Sequence, residues 1–134
     1  MIVADTHVIA YLGIPSPYTE LAEQLLLKDS DWVAPQLWRS ELRNVLALYL
    51  RQSLMTFDEA IRIQSAMEGL LQDKEYDISS LDILSVVNSS TASAYDCEFI
   101  ALAKNFNTRL VTMDKKIVNT FPETAVLLTD AINR

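Results

Sequence analysis

The sequence predicts an α/β fold in three layers, α/β/α, with a central parallel sheet flanked by helices. Two observations carry this expectation. Short runs rich in β-branched and apolar residues, MIVAD, DWVAP, RLVTMD and TAVLL, alternate with longer stretches of helical periodicity, which is the pattern of strands joined by crossover helices. Within each run the apolar character is nearly continuous rather than alternating, as expected when helices cover both faces of the sheet. At 134 residues the chain is long enough to bury one core and short for two, so residues 1–134 are read as one domain.

The elements follow in order. After the MIVAD strand, THVIAYLG reads as a short helix ended by Gly13. Pro15 and Pro17 then mark a turn before the helix TELAEQLLLKD. The strand DWVAP comes next, and Pro35 opens a long helix over QLWRSELRNVLALYLRQ. Thr56 and Glu59 have the spacing of a capping box ahead of the helix DEAIRIQSAMEGLLQD, so these two helices form a hairpin. EYDIS is a further short strand and LDILSVVNSS a helix behind it. Ser93, three residues before Asp96, starts the helix YDCEFIALAKNF. The strand RLVTMD, a short helix KKIVNTF, the strand TAVLL and a polar tail TDAINR complete the chain.

Composition removes several classes of function. Hydrophobic residues make up 50% and charged residues 22% of the sequence, as in soluble globular proteins. The apolar runs fall short of the roughly 18 residues of a membrane span, and MIVADTH lacks the basic leader of a secretory signal, so the expected location is the cytoplasm, with no membrane association. A single cysteine, Cys97, rules out an internal disulfide and a cysteine-built zinc site, and it is read as core packing. Two glycines in all leave no phosphate loop of the Walker or dinucleotide type. The net charge of −7 argues against a broad basic surface for nucleic acid, unless acids converge on divalent cations that reverse the local sign. It also suits a basic protein partner.

Four carboxylates are the candidates for chemistry. Asp5 closes the first strand and Asp114 closes RLVTMD, so both should emerge at the carboxyl edge of a parallel sheet, where open α/β folds bind ligands. The plain alternative for each is a helix cap. Glu41 has Leu37, Trp38, Val45 and Leu48 as its helical neighbours and therefore lies on an apolar stripe, where a carboxylate needs a partner, a proton or a metal. An ion pair, with Arg43 or a distant base, is the competing reading. Asp96 sits in a first helical turn, which favours negative charge in any case, yet it stands above a packed face made by Phe99, Ile100 and Ala103. Glu98 is expected to be solvated. Together the four acids would make an oxygen-rich pocket suited to magnesium or manganese, in which bound ions activate water and hold a phosphate. Thr6 and Thr112 flank the strand-end acids and could hydrogen-bond a carboxylate or a phosphate oxygen. His7 is read as structural rather than as a general base. Arg43, Lys104, Lys115 and Lys116 are read as solvated, with phosphate contact as the alternative.

Taken together, IVADTHVIAYL with Asp5, ELRNVL with Glu41, YDCEFIALAK with Asp96 and LVTMDKKI with Asp114 resemble PIN-domain ribonucleases, in particular the VapC-like toxins of toxin–antitoxin pairs. Order and spacing agree over nearly the whole chain. The resemblance implies a five-stranded parallel sheet, magnesium or manganese at Asp5, Glu41, Asp96 and Asp114, and hydrolysis of RNA phosphodiesters. It also implies a small antitoxin that pushes a basic segment into the pocket, and a homodimer. Where the family often has serine or asparagine after the Asp-Thr pair, this chain has His7.

Three other readings compete. A catalytically silent PIN-like RNA-binding or regulatory module keeps the fold without the reaction. A receiver-type phosphoacceptor needs paired acids at the first strand, where MIVADTH supplies one. A haloacid-dehalogenase-like phosphatase needs a second acid where His7 stands.

Overall fold

The computed structural model describes residues 1–133. Along the chain these form β1 (Ile2–Ala4), α1 (Thr6–Gly13), α2 (Thr19–Lys28), β2 (Trp32–Pro35), α3 (Leu37–Arg51), α4 (Phe57–Leu70), β3 (Glu75–Tyr76), α5 (Ser80–Asn88), α6 (Ala94–Asn105), β4 (Leu110–Thr112), α7 (Lys115–Thr120), β5 (Ala125–Leu127) and α8 (Leu128–Ile132). The five strands make one sheet in the order β3-β2-β1-β4-β5, every neighbouring pair parallel. Val3 pairs with Val33 on one side and Leu110 on the other, which places β1 at the centre.

Continuous apolar strands predicted burial on both faces, and β2 and β4 are buried at every position. α6 packs across β1, β2 and β4 and carries α5 on its back, while α1 contacts α2, α3 and α4, and α2 contacts α8. Trp32, Trp38, Phe99, Leu42 and Ile100 are fully enclosed in the core. β3 is shorter than the EYDIS run because it is an edge strand of two half-buried residues.

Capping chemistry sets the helix starts. Thr56 and Glu59 form the expected reciprocal capping box on α4, and Ser93 accepts the Asp96 N–H at the start of α6. Helix ends are less conventional. Ser53 (φ 58°) and Asn107 (φ 50°) take the left-handed position that glycine usually fills. Behind Ser53, Leu54 N–H reaches Tyr49 O at 2.9 Å and Ser53 N–H reaches Leu50 O at 3.1 Å. Gly13 has a different duty, since a Cβ there would meet Ile63 Cγ2 at 2.7 Å. It lets α1 approach α4.

The tail is a correction. Four of the six residues read as polar tail, Thr129 to Ile132, are in helix α8, and Arg134 lies outside the described residues. Leu128, the first residue of α8, is buried, and Lys28 Nζ donates to Ala131 O at 2.8 Å. A five-residue helix has too few turns to display a periodicity, so only its docking on α2 reveals it.

One polar network ties α3 to the sheet edge. Trp38 Nε1 donates to Glu75 Oε1 at 2.7 Å, Arg39 forks onto both Glu75 oxygens, and Arg39 Nη1 reaches Glu68 at 3.1 Å. The Arg39 hydrogen bonds, helped by the Trp38 N–H, hold the Glu75 carboxyl below its ordinary range. A carboxyl depressed in the folded state contributes stability above its unfolded pKa of about 4.3 and loses it as pH falls through the lower folded value. Glu75→Gln is therefore expected to cost about 1 kcal/mol near neutral pH, with the gap to the parent closing once pH is taken well below the ordinary carboxylate range. Urea melts at both pH values test this, and a gap that stays constant would refute it.

Candidate active site

β1 and β4 are adjacent and parallel in the middle of the sheet, so their carboxyl ends deliver Asp5 and Asp114 to one edge. Both do cap helices, as the plain alternative held: Asp5 Oδ1 accepts the Thr6 N–H at 2.8 Å and Asp114 Oδ1 the Lys116 N–H at 2.9 Å. Capping leaves each carboxylate with further lone pairs. Thr112, fully buried at the end of β4, donates its hydroxyl to Asp5 Oδ2 at 2.6 Å and accepts the Asp114 N–H at 3.1 Å. Thr6, buried at the start of α1, donates to Glu41 Oε1 at 2.7 Å. Two hidden hydroxyls thus link three acids.

Glu41 sits where the core and the surface divide on α3. The stripe that enters the core is Trp38, Leu42 and Leu46. Leu37, Glu41, Val45 and Leu48 line a cavity instead, with Leu48 51% exposed. Of the neighbours that set Glu41 on an apolar stripe, Trp38 belongs to the core and Leu37, Val45 and Leu48 to the cavity wall; the carboxylate is half-buried with Thr6 as its partner, not Arg43, which is exposed. Asp96 is half-buried at the head of α6, above buried Phe99, Ile100 and Ala103. Glu98 departs from expectation: it is half-buried, and burial together with the nearby Asp77 charge pushes its carboxyl up.

Asp5, Glu41, Asp96 and Asp114 all line one cavity of about 700 Å³, which also includes Thr6, Thr112 and His7. Its walls are otherwise apolar or neutral, and no lysine or arginine is among them. Burial pushes the Asp5, Glu41 and Asp96 carboxyls up. The acids also act on one another: Asp96 on Asp5, both of these on Glu41, and Asp114 on Asp96. The threonine hydroxyls, the Ser93 hydroxyl, His7 and Lys116 oppose the rise. The result is a nest of partly desolvated acids in want of positive charge. Its donors are all hard oxygens, the chemistry that suits a divalent cation of the magnesium type. Even so, among the described residues no three histidine, cysteine, aspartate or glutamate side chains close on a single point at metal-binding range.

The remaining candidates divide. His7 is exposed at the cavity and its side chain makes no hydrogen bond among the described residues, against the structural role expected of it. Cys97 is buried, its Sγ 3.8 Å from Ser90 Oγ. Lys104 lies at a separate small cavity beside α5, and Lys116 lines another that is shared with Asp96 and Asp114. Tyr11, Ser40, Asn44, Tyr95 and Met113 line the main cavity without having been singled out. Helical spacing from Glu41 could have found Asn44, three places on, and adjacency to Asp96 could have found Tyr95.

Comparison with known proteins bears on the fold that carries this cavity. Ribonuclease VapC3 of Pyrobaculum aerophilum is 25% identical over 124 residues, covering 90% of this chain and 95% of that protein. The PIN domain family matches residues 2–124, a span holding all four cavity acids and four of the five strands. With the match running over nearly its whole length and the sheet parallel throughout, the chain belongs to the PIN domain family.

Proposed function

We propose that this protein is a divalent-metal-dependent ribonuclease, hydrolysing RNA phosphodiester bonds as the toxin of a toxin–antitoxin pair. The observation that carries the reading is the cavity of Asp5, Glu41, Asp96 and Asp114, free of lysine and arginine, in a PIN domain. The named activity of the Pyrobaculum relative supports it. In this reading the four acids would hold magnesium or manganese, which supplies the charge that activates water and offsets the phosphate. Thr112 and Thr6 orient Asp5 and Glu41, and the wall of Leu37, Val45 and Leu48 keeps bulk water from that side of the acids. Tyr95, 64% exposed beside Asp96, offers a face on which an unpaired base can stack.

The same cavity suits a partner. A small antitoxin with a basic segment would find carboxylates for its cation and the apolar wall for its stem, and the net charge of −7 would steer it. Among the described residues no helix is long and apolar enough to cross a membrane; a cytoplasmic homodimer completes the proposal.

One observation favours a silent PIN-like RNA-binding module instead, namely that no three acids close on a point. Thermal melting with Mn²⁺ separates the two. A ligand that binds the folded state stabilises by about 2.7 kcal/mol at a hundred times its Kd, so the midpoint should rise by several degrees. Because the acids hold protons more tightly than usual, the proton competes with the metal, and the gain should shrink as pH falls from about 8 toward 5. No shift at any pH, with no RNA cleavage, would leave the silent module.

A further inference from the structure

Asp96 and Asp114 stand between two cavities. Beside the main pocket lies a second, of about 380 Å³, lined by Thr91, Ala92, Ser93, Lys116 and Thr120 and sharing Asp96, Asp114 and Ile117 with the first. The two differ in chemistry. The first has carboxylates, hydroxyls and apolar walls but no cation, whereas the second sets a cation beside the two carboxylates it shares. Lys116 is the one lysine or arginine among the residues lining either.

Its ammonium is available to a ligand. Lys116 is exposed and forms no ion pair among the described residues. Thr120 Oγ1 donates to Lys116 O at 2.8 Å and so fixes the backbone from which the side chain springs. Ser93 Oγ accepts the Asp96 N–H at 3.1 Å and its hydroxyl also bonds the Asp96 carboxyl, whereas the Thr91 hydroxyl has no hydrogen-bond partner among the described residues. The second cavity thus adds the Lys116 ammonium and the Thr91 hydroxyl to the carboxylates it shares with the first.

A polyanion crossing this site needs that difference. A phosphate held over the acids must have its charge offset there, but the strand continues, and the next phosphate would meet the same negative field. An ammonium with a hydroxyl donor near it, just beyond the acids, turns that repulsion into attraction. We propose that the second cavity is the subsite for a phosphodiester adjacent to the one cleaved, with Lys116 as its principal ligand and the RNA strand passing over Asp96 and Asp114. This rests on the ribonuclease reading for the identity of the strand.

The test measures binding of a fluorescent single-stranded oligoribonucleotide by anisotropy, in an Asp5→Asn background that holds the strand without cutting it. The cleaved linkage is mapped beforehand with the parent protein. Adding Lys116→Ala should weaken binding about ten-fold and lower the slope of log K against log salt by about 0.7, the value for one phosphate on a single strand. Lys116→Arg should restore both. Neutral methylphosphonate linkages introduced one at a time should reproduce the loss at one uncleaved position. At that position alone, Lys116→Ala should cost nothing further. Unchanged affinity and slope would overturn the proposal, as would coupling confined to the cleaved linkage. A parent that binds with the Lys116 signature but never cuts would sink the ribonuclease reading and leave the subsite standing. A parent that cuts with no dependence on Lys116 would do the reverse.

Discussion

Asp5→Asn and Asp96→Asn are each expected to reduce RNA cleavage by at least about a hundred-fold without unfolding the protein. The amide is nearly isosteric with the carboxylate, and at Asp5 its oxygen can still accept one of the two hydrogen bonds now made by Thr6 N and Thr112 Oγ1. Lost are the charge and half of the acceptor capacity, which are what a cation or a developing positive centre in the cavity would use. Stability should move the other way from activity. Burial and mutual repulsion raise the Asp5 and Asp96 carboxyls in the folded state, so ionising them at neutral pH costs folding free energy, and the neutral amide escapes that cost. Without added metal the melting midpoint of either variant should equal or exceed that of the parent, and the Mn²⁺-induced rise should be lost. Full cleavage by both folded variants would end the case for the acid cavity as the reactive centre.

Thr112→Val should lower kcat by about ten- to a hundred-fold, the usual effect of removing a hydrogen-bond partner that orients a metal-binding side chain. Valine keeps the shape and removes both the proton given to Asp5 Oδ2 at 2.6 Å and the oxygen that accepts the Asp114 N–H at 3.1 Å. Because the position is fully buried, the orphaned Asp114 N–H and the freed Asp5 oxygen should also cost about 1–3 kcal/mol of stability. A purely structural threonine would lower the melting midpoint and leave kcat per folded molecule untouched. Thr112→Ser, which keeps the hydroxyl, should recover most of the rate, and failure of that rescue would assign the effect to packing instead.

Much of the fold was legible because its causes are local. The capping box of Thr56 and Glu59 and the Ser93 cap are spaced by the geometry of one helical turn. The strand runs announce burial on two faces by their unbroken apolar character, and β2 and β4 are buried at every position. Elements that failed to show were short. The five-residue α8 has no period to read, and its place depends on α2 and Lys28, about a hundred residues earlier in the chain.

The candidate site was legible in part. Strand-end position and helical stripe were enough to pick out Asp5, Glu41, Asp96 and Asp114, which the structure brings to one cavity. The stripe around Glu41, however, mixed two surfaces, Trp38 from the core and Leu37, Val45 and Leu48 from the cavity wall. On α3 the set Trp38, Leu42, Leu46 and the set Leu37, Val45, Leu48 are both apolar and lie side by side on the helix. Which of them is buried depends on what packs against it. The same holds for His7, exposed at the cavity, and for Lys116, whose neighbours include Thr91 and Ser93 from the start of another helix.

The sequence by itself determined the succession of strands and helices, the caps that start them, and the acids able to act. These follow from periodicities and hydrogen bonds spanning one or two turns of chain. Only the tertiary structure decided that β1 lies beside β4, that Thr112 bridges Asp5 and Asp114, and that a lysine-bearing cavity adjoins the acidic one. The physical reason is that burial is a property of neighbours. The free energy of hiding a hydroxyl or baring a leucine is set by groups that meet it from distant parts of the chain, and no local pattern records them.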